Sequence, residues 1–283
     1  MPTTTGVRMR VRQAAGPAEF LEATQELRAA DPVRTNILGS IALSVLDGRV
    51  YEREFWFVAA DDDGRVVGAA CWTLPHKLVL GPWSPEVVRA IGEAAVATGV
   101  PVHGAVVPVE LADAVAESVG RRGVPHMGER LLALQDYVAP DRVPGTLRAV
   151  TEADLERVER WIDEFTSEAG ILVVDNRAAA ASSIGRLWFW EVDGVPVAMA
   201  GHASVVATPG AAVARIGPVY TPPAYRGRRY GSVVTAGVVE QLLPEVDAVM
   251  LFTDASNPTS NAIYERLGFR HVADIVDLDL EAI

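Results

Sequence analysis

The sequence predicts an α/β protein with a mixed sheet, folded as two lobes, and three observations lead to this class. Short apolar runs typical of strands alternate with longer runs of helical spacing along both halves of the chain. Apolar residues make up 49% of the 283 residues, which is sufficient for packed cores. Residues 139–145, Ala-Pro-Asp-Arg-Val-Pro-Gly, have the composition of a short linker and divide the chain into lobes 1–140 and 145–283.

The first lobe has the element order helix, helix, strand hairpin, strand, helix, strand, helix, strand. Apolar spacing predicts helices at 17–30, 36–46, 84–97 and 110–121. Strand-like runs lie at 54–60, 65–74, 77–80, 102–107 and 130–137. The run Asp61-Asp62-Asp63-Gly64 is a turn signal for the hairpin, and Ser84 before Pro85 is typical of a helix start.

The second lobe begins with a strand at 146–150 and a helix that Thr151 would cap, with Asp154 in place of the usual Glu of a capping box. An alanine-rich helix is predicted at 175–184, and strands at 187–192 and 195–206 are joined by the hairpin turn Asp193-Gly194. Because side chains alternate along a strand, Trp188 and Trp190 share one face. Core packing is the favoured role of these two rings, and an aromatic wall for a substrate is the alternative.

The segment 211–269 contains the residues that predict a ligand-binding site. A strand at 211–219 ends at Pro222-Pro223, and the loop Tyr225-Arg226-Gly227-Arg228-Arg229-Tyr230-Gly231 leads into a helix predicted at 232–243. The first N–H groups of a helix lack intrahelical partners, and the positive end of the helix dipole attracts anions. The glycines permit close approach of a ligand, and the arginines add positive charge. The loop therefore predicts a pyrophosphate cradle, although it is neither a P-loop nor a dinucleotide fingerprint.

This loop resembles the signature Gln/Arg-x-x-Gly-x-Gly/Ala of the Gcn5-related N-acetyltransferase (GNAT) superfamily. Arg226 fills the first position and Gly231 the last, whereas Arg229 stands at the fourth position, where the family normally has Gly. After a strand at 248–252, the family's second motif is matched by Asn257, Tyr264, Gly268 and Phe269. The resemblance implies the acyl-CoA N-acyltransferase fold and transfer of an acetyl group from acetyl-CoA to a primary amine of a small acceptor.

The resemblance also implies the roles of individual residues. Tyr264 takes the position of the general acid that protonates the leaving thiolate. The amide of Val219 or Tyr220 is the candidate donor to the thioester carbonyl. Three residues, Glu168, His202 and Asp254, are candidates for the base, and none is assigned. The residues expected to hold acetyl-CoA are Pro218, Val219, Tyr220, Thr221, Arg226, Gly227, Arg228, Arg229, Tyr230, Gly231, Ser232 and Asn257.

The first lobe has the element order of the same fold without its motifs, since Gly81-Pro82-Trp83 stands where the arginine-glycine loop would lie. We favour a degenerate GNAT-like lobe over an unrelated α/β lobe. Arg229 and this motif-free lobe motivate a second hypothesis, a non-catalytic acyl-CoA-binding or regulatory protein. A third, a structural tandem module without a ligand, is disfavoured because the motif residues of the second lobe occur together.

Composition excludes several other classes. The net charge of −12 argues against nucleic acids and anionic membranes as partners. The single cysteine, Cys71, cannot form a disulfide within the chain, and five histidines without ligand spacing predict no metal site. No apolar run reaches the roughly 18 residues of a membrane span, and the N-terminus lacks a signal-peptide pattern, so we expect a cytoplasmic protein. The sequence leaves open whether the chain forms a homodimer.

Overall fold

A computed structural model describes residues 9–172 and 180–283. These residues form two compact units. The first holds the residues up to Leu46, Val50–Glu129 and Ala273–Ile283, and the second holds Asp47–Arg49 and Arg130–Val272. The assignment of functional domains to 1–140 and 145–283 stays a prediction.

The helices are α1 (Pro17–Ala23), α2 (Gln25–Ala30), α3 (Asn36–Leu46), α4 (Pro85–Val96), α5 (Ala112–Ser118), α6 (Leu155–Ala169), α7 (Tyr230–Leu242) and α8 (Pro258–Leu267). The strands are β1 (Arg10–Gln13), β2 (Arg53–Ala60), β3 (Val66–Leu74), β4 (Leu78–Leu80), β5 (Gly104–Pro108), β6 (Arg122–Leu134), β7 (Thr146–Ala149), β8 (Leu187–Val192), β9 (Val195–His202), β10 (Val206–Thr208), β11 (Ala211–Tyr220), β12 (Ala248–Asp254) and β13 (Phe269–Glu281). Short 3-10 turns lie at Val109–Leu111, Glu152–Asp154 and Pro223–Tyr225. No helix in the described ranges is both long and apolar enough to cross a bilayer.

The sheet of the first unit has the order β1-β2-β3-β4-β5-β13. The pairs are antiparallel except β4 and β5, which are parallel. Side-chain alternation along β2 divides the core, because Phe57 packs in the cluster that includes α4 and α5, whereas Trp56 packs in the cluster that includes α1 and α3.

The second unit has the strand order β12-β11-β9-β8-β7, with residues of β6 beside β12 and with β10 paired to β11. The strands β11 and β12 are parallel, and the remaining pairs along this path are antiparallel. One face of this sheet packs against α7 and α8, and the other packs against α6 through Trp161. Both Trp188 and Trp190 pack against the α7 and α8 cluster, which confirms that they share a face.

Locally encoded elements follow the sequence closely. The prediction of α3 at 36–46 and of β8 at 187–192 is confirmed at both ends. The hydroxyl of Ser84 accepts from the Val87 amide at 3.4 Å and caps α4. The capping box of Thr151 and Asp154 is present, with Asp154 Oδ2 accepting from the Thr151 amide at 2.9 Å.

Several predicted boundaries are wrong. The helix at 17–30 is interrupted at Thr24, whose hydroxyl donates to the Phe20 carbonyl at 2.6 Å. The helix predicted from Ser232 begins at Tyr230, because Arg229 adopts the left-handed conformation immediately before it. The strand predicted at 130–137 runs instead from Arg122 to Leu134.

The sequence patterns also missed β1 and β13. Residues Ile275–Asp279 of β13 pair with β5, which lies more than a hundred residues earlier in the chain, and no local pattern marks such a partner. The predicted helix at 175–184 lies largely outside the described residues, and Ala180–Ser182 are helical.

Candidate functional site

The site lies where β11 and β12 stop pairing. Their parallel ladder runs from Val213 to Ile216 on β11 and then ends, although β11 continues to Tyr220 and β12 to Asp254. On its other edge, β11 changes register with β9 between Ile216 and Val219. The stretch of β11 that no longer pairs with β12 contains three of the four residues predicted to grip a pantetheine arm, although Val219 and Tyr220 pair with β9 on the other edge. Thr221 follows this stretch directly. Backbone groups that leave a ladder are free to pair with an extended ligand.

The loop after this strand presents unpaired amides at the start of α7. The N–H groups of residues 227–231 donate to no acceptor in the part of the chain that the structure describes. The first paired amides are those of Ser232 and Val233, which donate to the Arg229 carbonyl at 3.1 and 3.2 Å. Converging donors at a helix N-terminus form an anion site.

Arg229 shows why the family prefers glycine at this position. Its φ of 65° lies in the left-handed region, where a residue with a Cβ is strained by about 1–2 kcal/mol. The conformation directs the chain into α7, with Arg229 as the residue that precedes the first helical turn. Its guanidinium donates from Nη1 to Asp141 Oδ2 at 2.6 Å, an exposed pair.

Arg226 links the loop to the end of β11 and to α6 through its guanidinium. Its Nε donates to the Thr221 carbonyl at 2.9 Å, and its Nη2 donates to both carboxylate oxygens of Glu168 at 2.9 and 2.6 Å. Its guanidinium also lies 5.9 Å from the centre of the Tyr220 ring. Arg228, by contrast, has no carboxylate within 4.0 Å among the described residues. Of the three loop arginines, Arg228 is therefore the one whose charge is left for a ligand.

Tyr264 lies on α8, which packs against α7, and its side chain is in the same apolar cluster as Tyr230. The ring meets Phe269 edge-on, with 6.0 Å between centroids. The Tyr264 hydroxyl makes no hydrogen bond to a described residue. Burial raises the pKa of Tyr264 to about 12, so the hydroxyl is protonated at neutral pH. A protonated hydroxyl without a protein partner meets the requirements of a general acid.

Two residues of the second motif, Asn257 and Gly268, lie at the two ends of α8. Asn257 is exposed and caps the helix, since its Oδ1 accepts from the Ser260 amide at 3.1 Å. The cap uses the oxygen and leaves the amide nitrogen available. Gly268 ends the helix with a φ of 100°, and a Cβ there would lie 1.8 Å from the Asp136 carbonyl oxygen.

The three candidate bases have different surroundings. Glu168 is held by Arg226, and Asp254 accepts from the Ser256 amide and hydroxyl at 2.8 and 2.7 Å. His202 places Nδ1 2.7 Å from the Ala203 carbonyl, so Nδ1 carries the proton and Nε2 is the acceptor. Burial lowers the pKa of His202, which favours the neutral ring. These contacts assign no base.

Sequence reasoning considered only the backbone of Tyr220 and missed its side chain. The Tyr220 hydroxyl donates to Glu164 Oε2 at 2.8 Å, and its ring lies 6.1 Å from Trp161. Burial, and next the hydrogen-bonded Glu164 carboxylate, raise the pKa of Tyr220. The contact joins α6 to the end of β11. Two sequence features could have indicated it: side chains alternate between the two faces of β11, and Glu164 lies beside the apolar face of α6.

In the first unit, the segment Gly81-Pro82-Trp83 precedes α4, and the Trp83 side chain covers it. The indole of Trp83 lies against Gly81, where a Cβ would come within 2.4 Å of the ring, and its Nε1 donates to the Ala69 carbonyl at 2.7 Å. Pro85 has no N–H, and Ser84 occupies the Val87 amide. The start of α4 thus offers fewer free backbone donors than the segment that precedes α7.

Comparisons with known proteins agree with this geometry. The family model described as Acetyltransferase (GNAT) family matches residues 151–269. A GCN5-related N-acetyltransferase from Kribbella flavida is 20% identical with a TM-score of 0.58, covering 94% of this chain and 96% of that chain. Another from Sphaerobacter thermophilus is 17% identical with a TM-score of 0.62, covering 100% and 98%. A tandem GNAT protein from the clavulanic acid biosynthesis pathway is 15% identical with a TM-score of 0.61, covering 96% and 97%. No curated protein sequence matches the chain.

The fold is that of the acyl-CoA N-acyltransferases, and the part of the chain that matches the GNAT family model supports an acyltransferase. Residues 151–269 are a domain of the GNAT acetyltransferase family. The structural matches extend over the first unit as well, because they cover nearly the whole chain. Across the described ranges, no group of three His, Cys, Asp or Glu side chains is placed to hold a metal ion.

Proposed function

We propose that this protein is an N-acetyltransferase that transfers the acetyl group of acetyl-CoA to a primary amine of a small acceptor by direct attack. The observation that carries the proposal is the row of amides at residues 227–231 that donate to no described acceptor, at the start of a helix that packs against the helix of Tyr264. The amides and Arg228 fit a diphosphate. The edge of β11 that has left the β12 ladder fits the pantetheine arm, and the amide nitrogen of Asn257 is a further donor to it.

Acetyl-CoA supplies the acetyl group as an activated thioester. The residues at 218–221 would hold it extended, with the Val219 or Tyr220 amide as donor to the carbonyl oxygen. The acceptor nitrogen attacks the carbonyl carbon, and the carbon–sulfur bond breaks. Tyr264 gives its proton to the departing thiolate, while the nitrogen loses a proton to a base or to water. The proton that leaves Tyr264 is replaced by the one lost from the amine through solvent.

A second candidate is a non-catalytic acyl-CoA-binding or regulatory protein. The specific observation in its favour is Arg229, which holds the strained position of the cradle and pairs with Asp141. In either case we propose that lobe 1–140 is a degenerate GNAT-like lobe that binds no acyl-CoA, because Trp83 covers Gly81 in its corresponding segment. We also propose, from the sequence alone, that the protein is cytoplasmic, that it has no nucleic-acid or membrane partner, and that it forms a homodimer.

Two measurements test the proposal in sequence. In the first, a ligand that binds only the native state must stabilise it, by about 2.7 kcal/mol at a hundred times its Kd. Acetyl-CoA should raise the Tm of the wild type and raise it less for Arg228→Glu, with Arg160→Glu on the exposed face of α6 as the charge-matched control. No shift in the wild type would refute acyl-CoA binding.

In the second measurement, release of free thiol from acetyl-CoA is followed against a panel of primary amines, with hydrolysis in the absence of amine subtracted. Amine-dependent release supports the enzyme. A clear Tm shift with acetyl-CoA but no amine-dependent release across the panel would support the binding protein instead.

A further inference from the structure

A second cavity lies on the side of α8 that carries Asn261 and Glu265, within the second unit. Its volume is about 640 Å³, which is in the range of small-molecule sites. The walls come from α8, from the end of β6 and from the start of β13, and Phe269 supplies an apolar surface. None of the loop residues 226–231 contributes to its lining.

Asn261 on this cavity has an unsatisfied oxygen. The residue is 8% exposed, and its Nδ2 donates to the carbonyls of Asp254 and Ala255 at 3.1 and 3.3 Å. These two bonds fix which end of the amide is nitrogen. The Oδ1 atom is buried and accepts no hydrogen bond from the residues described. Buried polar atoms are almost always paired, so this oxygen indicates a missing donor.

Positive charge surrounds the same cavity. Arg130 and Arg266 line it and make no ion pair with a described residue. Arg270 also lines it and donates from Nη1 to the carbonyls of Glu265 and Phe269, both at 2.9 Å. Glu265 is the one carboxylate among the lining residues of a chain whose net charge is −12. Guanidinium groups without a carboxylate partner pair readily with the carboxylate of a ligand.

We propose that this cavity binds a small carboxylate that also carries a hydroxyl or amino donor, with the carboxylate on Arg130 and Arg266 and the donor on Asn261 Oδ1. The site is additional to the acyl-CoA cradle and does not depend on the proposed function. Its ligand would be a hydroxy acid or an amino acid rather than a simple carboxylate, because only the former supplies the donor that Asn261 lacks.

Calorimetric titration of the full chain in low-salt buffer tests this inference with a matched set of probes. L-malate and L-aspartate have the carbon skeleton of succinate, with one hydroxyl or amino group added. L-malate, which differs from succinate by the hydroxyl alone, should bind about threefold to tenfold more tightly than succinate, the ratio expected for one added hydrogen bond. Arg130→Gln and Arg266→Gln should each weaken L-malate binding severalfold, while Arg160→Gln should leave it unchanged.

Three outcomes overturn the proposal. The first is the absence of L-malate and L-aspartate binding at millimolar concentration. The second is an affinity of both that equals that of succinate, since Asn261 would then receive no donor. The third is binding that Arg228→Gln abolishes and Arg130→Gln does not change, which would place the anion at the start of α7. Melting curves of each variant confirm that it is folded, so loss of binding is not loss of structure.

Discussion

Replacing Tyr264 by Phe removes only the hydroxyl, so it tests the catalytic role of that group while the packing of the ring is kept. The hydroxyl is the proposed proton donor to the leaving thiolate, and it has no hydrogen-bond partner among the described residues. A positioned general acid contributes about 10²–10⁴ in rate, which corresponds to about 3–5 kcal/mol of activation free energy. We expect kcat for amine-dependent thiol release to fall by that factor, with the Kd of acetyl-CoA unchanged.

The same change should not destabilise the protein. Phe keeps the buried ring and its contact with Phe269, and no hydrogen bond to a described residue is lost. The free energy of unfolding should stay within about 0.5 kcal/mol of the wild-type value, because the hydroxyl makes no hydrogen bond to a described residue. Chemical denaturation of both proteins measures this difference.

Tyr137→Phe is the matched control, because the Tyr137 hydroxyl donates to Glu240 Oε1 at 2.6 Å on the surface of α7. Its loss should lower the free energy of unfolding by about 1 kcal/mol and leave kcat unchanged. The two tyrosines thus have opposite expected profiles. Full activity of Tyr264→Phe would refute the acid role, and a large loss of its stability would show that the hydroxyl has a partner.

The pH profile gives an independent check on Tyr264. Burial raises its pKa to about 12, so the group stays protonated through the whole accessible alkaline range. The kcat of the wild type should therefore show no decrease from this group between pH 7 and about pH 10. A decrease with an apparent pKa of 8–9 that disappears in Tyr264→Phe would contradict the reasoning.

Three further substitutions test the surrounding structure. Gly268→Ala should lower the free energy of unfolding by more than about 2 kcal/mol, because its Cβ would meet a backbone oxygen at 1.8 Å, whereas Gly210→Ala, with positive φ but open space, should cost only about 1 kcal/mol. The Arg148 guanidinium holds the pKa of Asp154 well below its usual range. The ionised Asp154 carboxylate therefore stabilises the fold above its unfolded-state pKa, and this stabilisation is lost as the pH falls towards the folded-state pKa. Asp154→Asn should lower the stability at pH 7 by about 1–3 kcal/mol and reduce the difference between pH 7 and pH 3. Arg229→Gly should be about 0.5–1 kcal/mol more stable than Arg229→Ala in denaturation, and equal stabilities would argue against backbone strain there.

The signals that succeeded in the sequence are local ones. The Asp193-Gly194 turn, the capping box of Thr151 and Asp154, and the end of β11 before Pro222 each depend on residues within a few positions of one another. Their conformations follow from φ preferences and short-range hydrogen bonds, which a single sequence contains in full. The resemblance to GNAT proteins rests on the same kind of information, a loop and a helix with fixed spacing.

The sequence alone predicted the fold class, the GNAT family of residues 151–269 and the segment that we propose as the anion cradle. Only the tertiary structure showed that Arg226 is bound to Glu168, 58 positions away, and that Arg229 is bound to Asp141. Arg228 is therefore the loop arginine with no carboxylate within 4.0 Å among the residues described. It also showed that the Tyr264 hydroxyl has no hydrogen-bond partner within residues 9–172 and 180–283, and that Asn261 lines a cavity together with three arginines. The reason is physical: a residue's charge and hydrogen-bonding capacity are properties of the residue, whereas its partners, its burial and hence its pKa are set by segments that fold next to it from elsewhere in the chain.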